Sequence, residues 1–103
     1  MAGAISITEI LGTIHDGKME VCASAETEYD PATEKVVVAL SAFTRRVSAS
    51  GNGRHLPEPW LPRDERVCEH LPRGDADEFA KDVFHGWVKK VHASVPPGLT
   101  LSR

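Results

Sequence analysis

Residues 18–29 alternate apolar and polar side chains. Met19, Val21, Ala23, Ala25, Thr27 and Tyr29 interleave with Glu20, Cys22, Ser24, Glu26 and Glu28. A repeat of two is the signature of a strand with one buried face. Asp30-Pro31-Ala32-Thr33 follows, with Asp and Pro at the first two positions, as a type I turn prefers. Residues 34–47, rich in valine, then read as a return strand. Setting Asp30 opposite Thr33 pairs Thr27 with Val36, Ala25 with Val38, Ala23 with Leu40 and Val21 with Ala42. It also sets Glu28 against Lys35, a favourable cross-strand charge pair. The hairpin's second face then carries Cys22, Ser24, Val37, Ala39, Ser41 and Phe43. Val37 and Phe43 are large apolar groups at positions where a solvated face would be polar, so this face is expected to be covered.

The hairpin needs a second layer, and residues 75–95 supply it. Ala76, Phe79, Ala80, Val83, Phe84, Trp87, Val91 and Val95 recur at helical spacing and form one apolar face. Asp75 and Glu78 resemble a capping box, and Lys89, Lys90 and His92 near the far end suit the helix dipole. Pro96-Pro97-Gly98 ends the helix, and the tail to 103 is expected to fray. Phe79, Val83, Trp87 and Val91 are expected to pack on the hairpin face formed by Met19, Val21, Ala23, Ala25, Val36, Val38, Leu40 and Ala42.

Residues 5–16 admit two readings. Ser6 and Glu9 have capping-box spacing, and Ile7, Ile10, Leu11 and Ile14 fall on one helical face, with Gly17 as a stop. Against this, Ile5, Ile7, Thr8, Ile10, Thr13 and Ile14 are β-branched, and Asp16-Gly17 is a strong hairpin turn. Gly12 would cost a helix about 1 kcal/mol. The helix over 6–16 is taken as the expectation, with a third strand as its alternative. Residues 48–74 look irregular. Pro57, Pro59, Pro62 and Pro72 break any long element, and a short helical stretch from Pro62 through Val67 and Leu71 is the most they suggest. So long an irregular stretch in a compact domain invites a functional reading.

Twelve basic and fifteen acidic residues leave a net charge of −3, which argues against a nucleic-acid surface. The charge is uneven. Residues 1–44 hold seven acids against Lys18 and Lys35, whereas 83–103 hold Lys89, Lys90 and Arg103 and no acid, leaving room for a small-anion contact there. No stretch approaches the ~18 apolar residues of a transmembrane helix, and the start lacks a basic export segment, so no membrane association is expected. Cys22 and Cys68 are too few for a disulfide-built secreted domain, which points to two free thiols in the cytoplasm.

Chemistry-bearing patterns are weak. Cys68, His70 and His55 lack paired zinc-ligand spacing, so no metal or other cofactor is implied. Cysteines, serines and histidines are present, but no nucleophile elbow frames them, and Cys22 lies beside acids that disfavour its thiolate. Gly51-Asn52-Gly53-Arg54 could form an anion nest yet lacks a full phosphate-loop pattern. Pro59-Trp60-Leu61-Pro62 matches a polyproline ligand, though Trp60 and Leu61 are better placed to pin the loop to the core. Arg73-Gly74-Asp75 spells an adhesion tripeptide but reads better as a helix start. Lys81, His85, Lys89 and His92 form a helix stripe that reads as a solvated face or an anion contact.

The expected fold is a single α+β domain spanning 1–103, a two-layer sandwich. A small antiparallel sheet packs against the C-terminal helix and an N-terminal helix. The expected function is a non-catalytic, self-associating protein-interaction module in the cytoplasm, with a protein or a second copy as partner. The alternative is a small-molecule or anion-binding protein, with or without enzymatic chemistry, using the 48–74 loop. The candidate binding residues are Val37, Phe43, Arg54, His55, Trp60, Cys68 and His70.

Overall fold

The computed structural model describes residues 3–47, 58–99 and 101. Its order is β1 (Gly3–Ile14), β2 (Met19–Asp30), β3 (Lys35–Arg46), β4 (Glu65–His70) and α1 (Arg73–Ser94). The four strands form one antiparallel meander in the order β1-β2-β3-β4. The helix packs principally on β2 and β3, giving two layers of α+β type. No helix among the described residues is long and apolar enough to cross a membrane.

Residues 6–14 are strand and 15–16 are turn, so the expected helix does not form. The β-branched residues of this segment find a partner in β2, with Ile5 opposite Thr27 and Ile7 opposite Ala25. The helical spacing of Ile7, Ile10, Leu11 and Ile14 has another cause. The register slips between Ile10 and Gly12, so Leu11 is the extra residue of a bulge. Beyond it the alternation changes phase, so Ile14 joins Leu11 in the core, while Ile10 points to the opposite face and Ile7, on the helix side but at the sheet edge, stays exposed. A phase change in a strand imitates a helical stripe. His15 and Asp16, at φ 53° and 58°, and Gly17 at φ 79° turn the chain into β2.

The β2–β3 register is offset by two residues from the one expected. Asp30 faces Lys35, Thr27 faces Val38, Ala25 faces Leu40, Ala23 faces Ala42 and Val21 faces Thr44, while Glu28 faces Val37 rather than Lys35. A type I turn alone splays a two-residue hairpin. The chain instead closes over four residues, with Glu34 in the left-handed region at φ 53° and the Ala32 amide donating to Asp30 Oδ1 at 3.0 Å. A shift of two preserves the faces, so the expected apolar set still meets the helix. Met19, Val21, Ala23, Ala25, Val36, Val38 and Leu40 are buried with Ala76, Phe84, Trp87 and Val91. Phe79 and Val83, expected in the centre of this core, are only half-buried at its margin.

The fourth strand lies inside the segment read as irregular, and the helical stretch suggested from Pro62 does not form. Val67 faces Val38 and Cys68 faces Val37. Pro62 and Pro72 stand just outside the strand, where the missing N–H interrupts no ladder bond. The Leu71 amide donates to the Glu34 carbonyl at 2.9 Å, and the Tyr29 hydroxyl donates to the Leu71 carbonyl at 3.2 Å. Together these contacts tie the exit of β4 to the β2–β3 turn. Pro72, not Asp75, occupies the cap position of α1, without a side-chain cap bond. The Asp75 amide instead donates to the Pro72 carbonyl at 2.9 Å, and Asp75 sits in the first turn.

β4 pairs with β3 only as far as Leu40. At the next residue the helix supplies the missing donor, the Trp87 indole N–H giving a 2.8 Å bond to the Ser41 carbonyl. Lys90 lies 5.8 Å from the Trp87 ring and pairs with Glu65, linking helix to fourth strand at the surface. Trp60, Leu61, Leu99 and Leu101 are partly buried against the same core, so the tail that was expected to fray contributes two leucines to it.

Candidate protein-binding surface

Two surfaces remain uncovered by α1. The first is the sheet face turned away from the helix. Its side chains follow from the register as rows across the strands: Thr13, Glu20 and Arg45; Ile10, Cys22 and Phe43; Thr8, Ser24 and Ser41; then Glu26, Ala39 and Arg66. Glu28, Val37 and Cys68 form the next row, and Asp30, Lys35 and His70 the last.

Four of the sequence candidates meet on this face. Val37 lies opposite Cys68, Phe43 opposite Cys22, and His70 opposite Lys35 with Nδ1 3.3 Å from the Thr33 carbonyl oxygen. Val37 and Phe43 are half-buried, but six residues of strand separate them, about 20 Å. Hydroxyl, alanine and charged side chains fill the interval, so the two do not form one apolar patch. Trp60 is elsewhere, against the core. Arg54 and His55 lie outside the described residues, as does the Gly51–Arg54 turn. Among the described residues no group of three His, Cys, Asp or Glu stands together as a metal set.

Cys22 illustrates how this face is built. Although it points away from the helix, it is fully buried. Burial raises its thiol pKa; Arg45 lowers it and Glu20 raises it by a lesser amount. Arg45 and Glu20 form a 2.8 Å ion pair in the adjacent row. Cys68 is exposed on β4. In folded protein a thiol reagent is therefore expected to label Cys68 at once and Cys22 only on unfolding, read by intact mass. Equal labelling rates would contradict the packing of this face. The raised Cys22 value favours folding while the thiol is protonated. That contribution is lost as pH rises through the folded pKa.

The second surface is the outer edge of β1 and the flank of α1 beside it. Because the helix sits over β2 and β3, Ile5 and Ile7 point to its side of the sheet yet stay 53% and 39% exposed. An open groove of about 610 Å³ runs there, with Ile7, Phe84 and Val88 as its apolar part and Lys81, His85 and Lys89 along the helix. A smaller hollow continues it at Ile5, bordered by Tyr29, Arg73 and Asp77. The helix stripe of Lys81, His85, Lys89 and His92 is exposed, as a solvated face would be, and its first three residues also border this open groove. Among the described residues β1 has β2 as its strand neighbour, with no strand beyond it.

Sequence reasoning missed Ile5 and Ile7 as surface residues because it placed Ile7 in a helical core. The usable signal was the period-two repeat of Ile5 and Ile7 ahead of Gly12. Comparison with protein-family models, curated proteins and solved structures finds no match, so the reading of this chain rests on its own residues.

Proposed function

We propose that this chain is a small non-catalytic protein-interaction module that binds an extended segment by strand addition along the outer edge of β1. The observation that carries the reading is the character of that edge. Natural proteins blunt exposed edges by making them short, by placing lysine or proline on them, or by bulging them away. β4, the opposite edge, follows this practice with six residues that include Glu65, Arg66, Glu69 and His70. β1 runs for twelve residues with no lysine or proline, one charge at Glu9, and a bulge only beyond Ile10. Its straight half exposes two isoleucines beside an apolar groove.

Strand addition explains both features. Backbone bonds to the edge give affinity, and alternate side chains of the bound segment enter the groove and give selectivity. Selecting extended octapeptides from a displayed library and mapping them by amide chemical shifts tests this. The expected shifts fall on residues 5–9 and on the helix at 81–88, and Ile7→Lys removes them. Shifts confined to Val37, Phe43 and Cys68 would contradict it.

A further inference from the structure

Resting on that strand-addition reading, we infer that the segment bound at this edge is β1 of a second copy of the chain, antiparallel about a two-fold axis at Ile7. This register keeps the pairing within the straight half of β1, short of the bulge at Leu11. It places Ile7 opposite Ile7, Ser6 opposite Thr8, and Ile5 opposite Glu9. Directly opposed residues of an antiparallel pair point to the same face, so both helices lie on one side of an eight-stranded sheet.

Three features of the chain suit this arrangement to a copy of itself. Ile5 and Ile7 of both copies become contiguous between the two helices, covering the two isoleucine side chains that each monomer leaves exposed on this side of the sheet. An isologous contact achieves this in one operation, because the same patch serves on both sides. Charge is the second feature. Arg73, Lys81 and Lys89 border the groove against two acids, Asp77 on the helix and the chain's own Glu9 on β1, which leaves the groove with a basic excess. Opposite Ile5, Glu9 of the second copy enters the stretch between Arg73 and Lys81. The two Glu9 residues stand four residues apart along the strands, about 13 Å and beyond the screening length at physiological salt.

The third feature is on the other face, where Ser6 and Thr8 are exposed. There they bring hydroxyls together across the axis, a pairing that stabilises adjacent strands. Thr8 Oγ1 already lies 3.3 Å from Ser24 Oγ, so the pairing would extend an existing hydroxyl row. The dimer also leaves only the two short, charged β4 strands as sheet edges, which are the edges already protected against further growth.

Light scattering and sedimentation equilibrium on the full chain, with circular dichroism as the check on folding, test the inference. The wild type is expected at twice the 11.2 kDa chain mass. Ile7→Lys sets two ammonium groups at the axis and is expected to weaken association by more than about tenfold at unchanged helix content. Glu9→Lys should weaken it too. Should Ile7→Lys fail to fold, Ile7→Cys in a Cys68→Ser background decides, because mild oxidation should then give a reducible covalent dimer that Glu28→Cys in the same background does not. A wild type that stays monomeric while selected peptides still shift β1 would overturn the second copy and leave strand addition standing. A dimer indifferent to Ile7→Lys and dissociated by Phe43→Glu would overturn both.

Discussion

Trp87→Ala is expected to cost about 3–5 kcal/mol, the usual range for truncating a buried large aromatic. Trp87 is 2% exposed in the centre of the helix–sheet contact. The substitution removes its ring from the core and also leaves the Ser41 carbonyl without its indole donor, at a place where β4 no longer reaches β3. A domain of this size has about 5–15 kcal/mol in total, so the variant should unfold at much lower urea. Trp87→Phe separates the contributions, since it keeps an aromatic ring and loses the donor, at about 1–3 kcal/mol for the carbonyl left behind. Phe79→Ala, at the half-buried margin, should cost clearly less than Trp87→Ala. Equal midpoints for Trp87→Ala and Phe79→Ala in urea denaturation would show that the helix sits on the sheet at a different rotation.

The second large effect concerns the bulge. Leu11 is 1% exposed, and Leu11→Ala is expected to cost about 2–5 kcal/mol. Ile10, its neighbour, is 41% exposed on the other face, so Ile10→Ala should be much milder. An amphipathic helix over 6–16 would bury both residues and make the two substitutions similarly severe. The strand with its phase change separates them. Urea midpoints for the pair therefore distinguish the two architectures directly, and comparable losses would contradict the strand.

Much of the sheet was legible because period-two patterning reports faces, and faces survive a register error of two. The residues of β2 and β3 that meet the helix were readable for this reason, although the pairing partners were not. Register depended on the turn, where Glu34 takes a left-handed conformation that nothing in its side chain announces. β1 was misread because a bulged strand and a helix can both place Ile7, Ile10, Leu11 and Ile14 at the same intervals. The local pattern cannot separate them; the availability of β2 as a partner does. β4 was hidden for a different reason. Its six residues are mostly polar and exposed, and Val67 is its one apolar contact with the core, too little periodicity to stand out among four prolines.

The binding surface was legible only through its wall. Lys81, His85 and Lys89 stood out as a stripe, but their role depends on what lies beside them, and that was the misread strand. Val37 and Phe43 were rightly noted as apolar positions away from the helix. Their separation along β3 could be measured only once the register was known. Cys68 and His70 reached the same face because β4 exists, which their own spacing did not reveal.

Amide hydrogen exchange along residues 5–9 tests the central claim, that the outer edge of β1 is where this protein makes its contact. Alternate amides of this stretch point toward β2 and are protected in the isolated domain, and the others point outward. On association, with a second copy at raised concentration or with a selected extended peptide, the outward amides are expected to slow until the alternation disappears. Retention of the alternating pattern in the associated protein, with new protection appearing at residues 37–43 instead, would contradict the account.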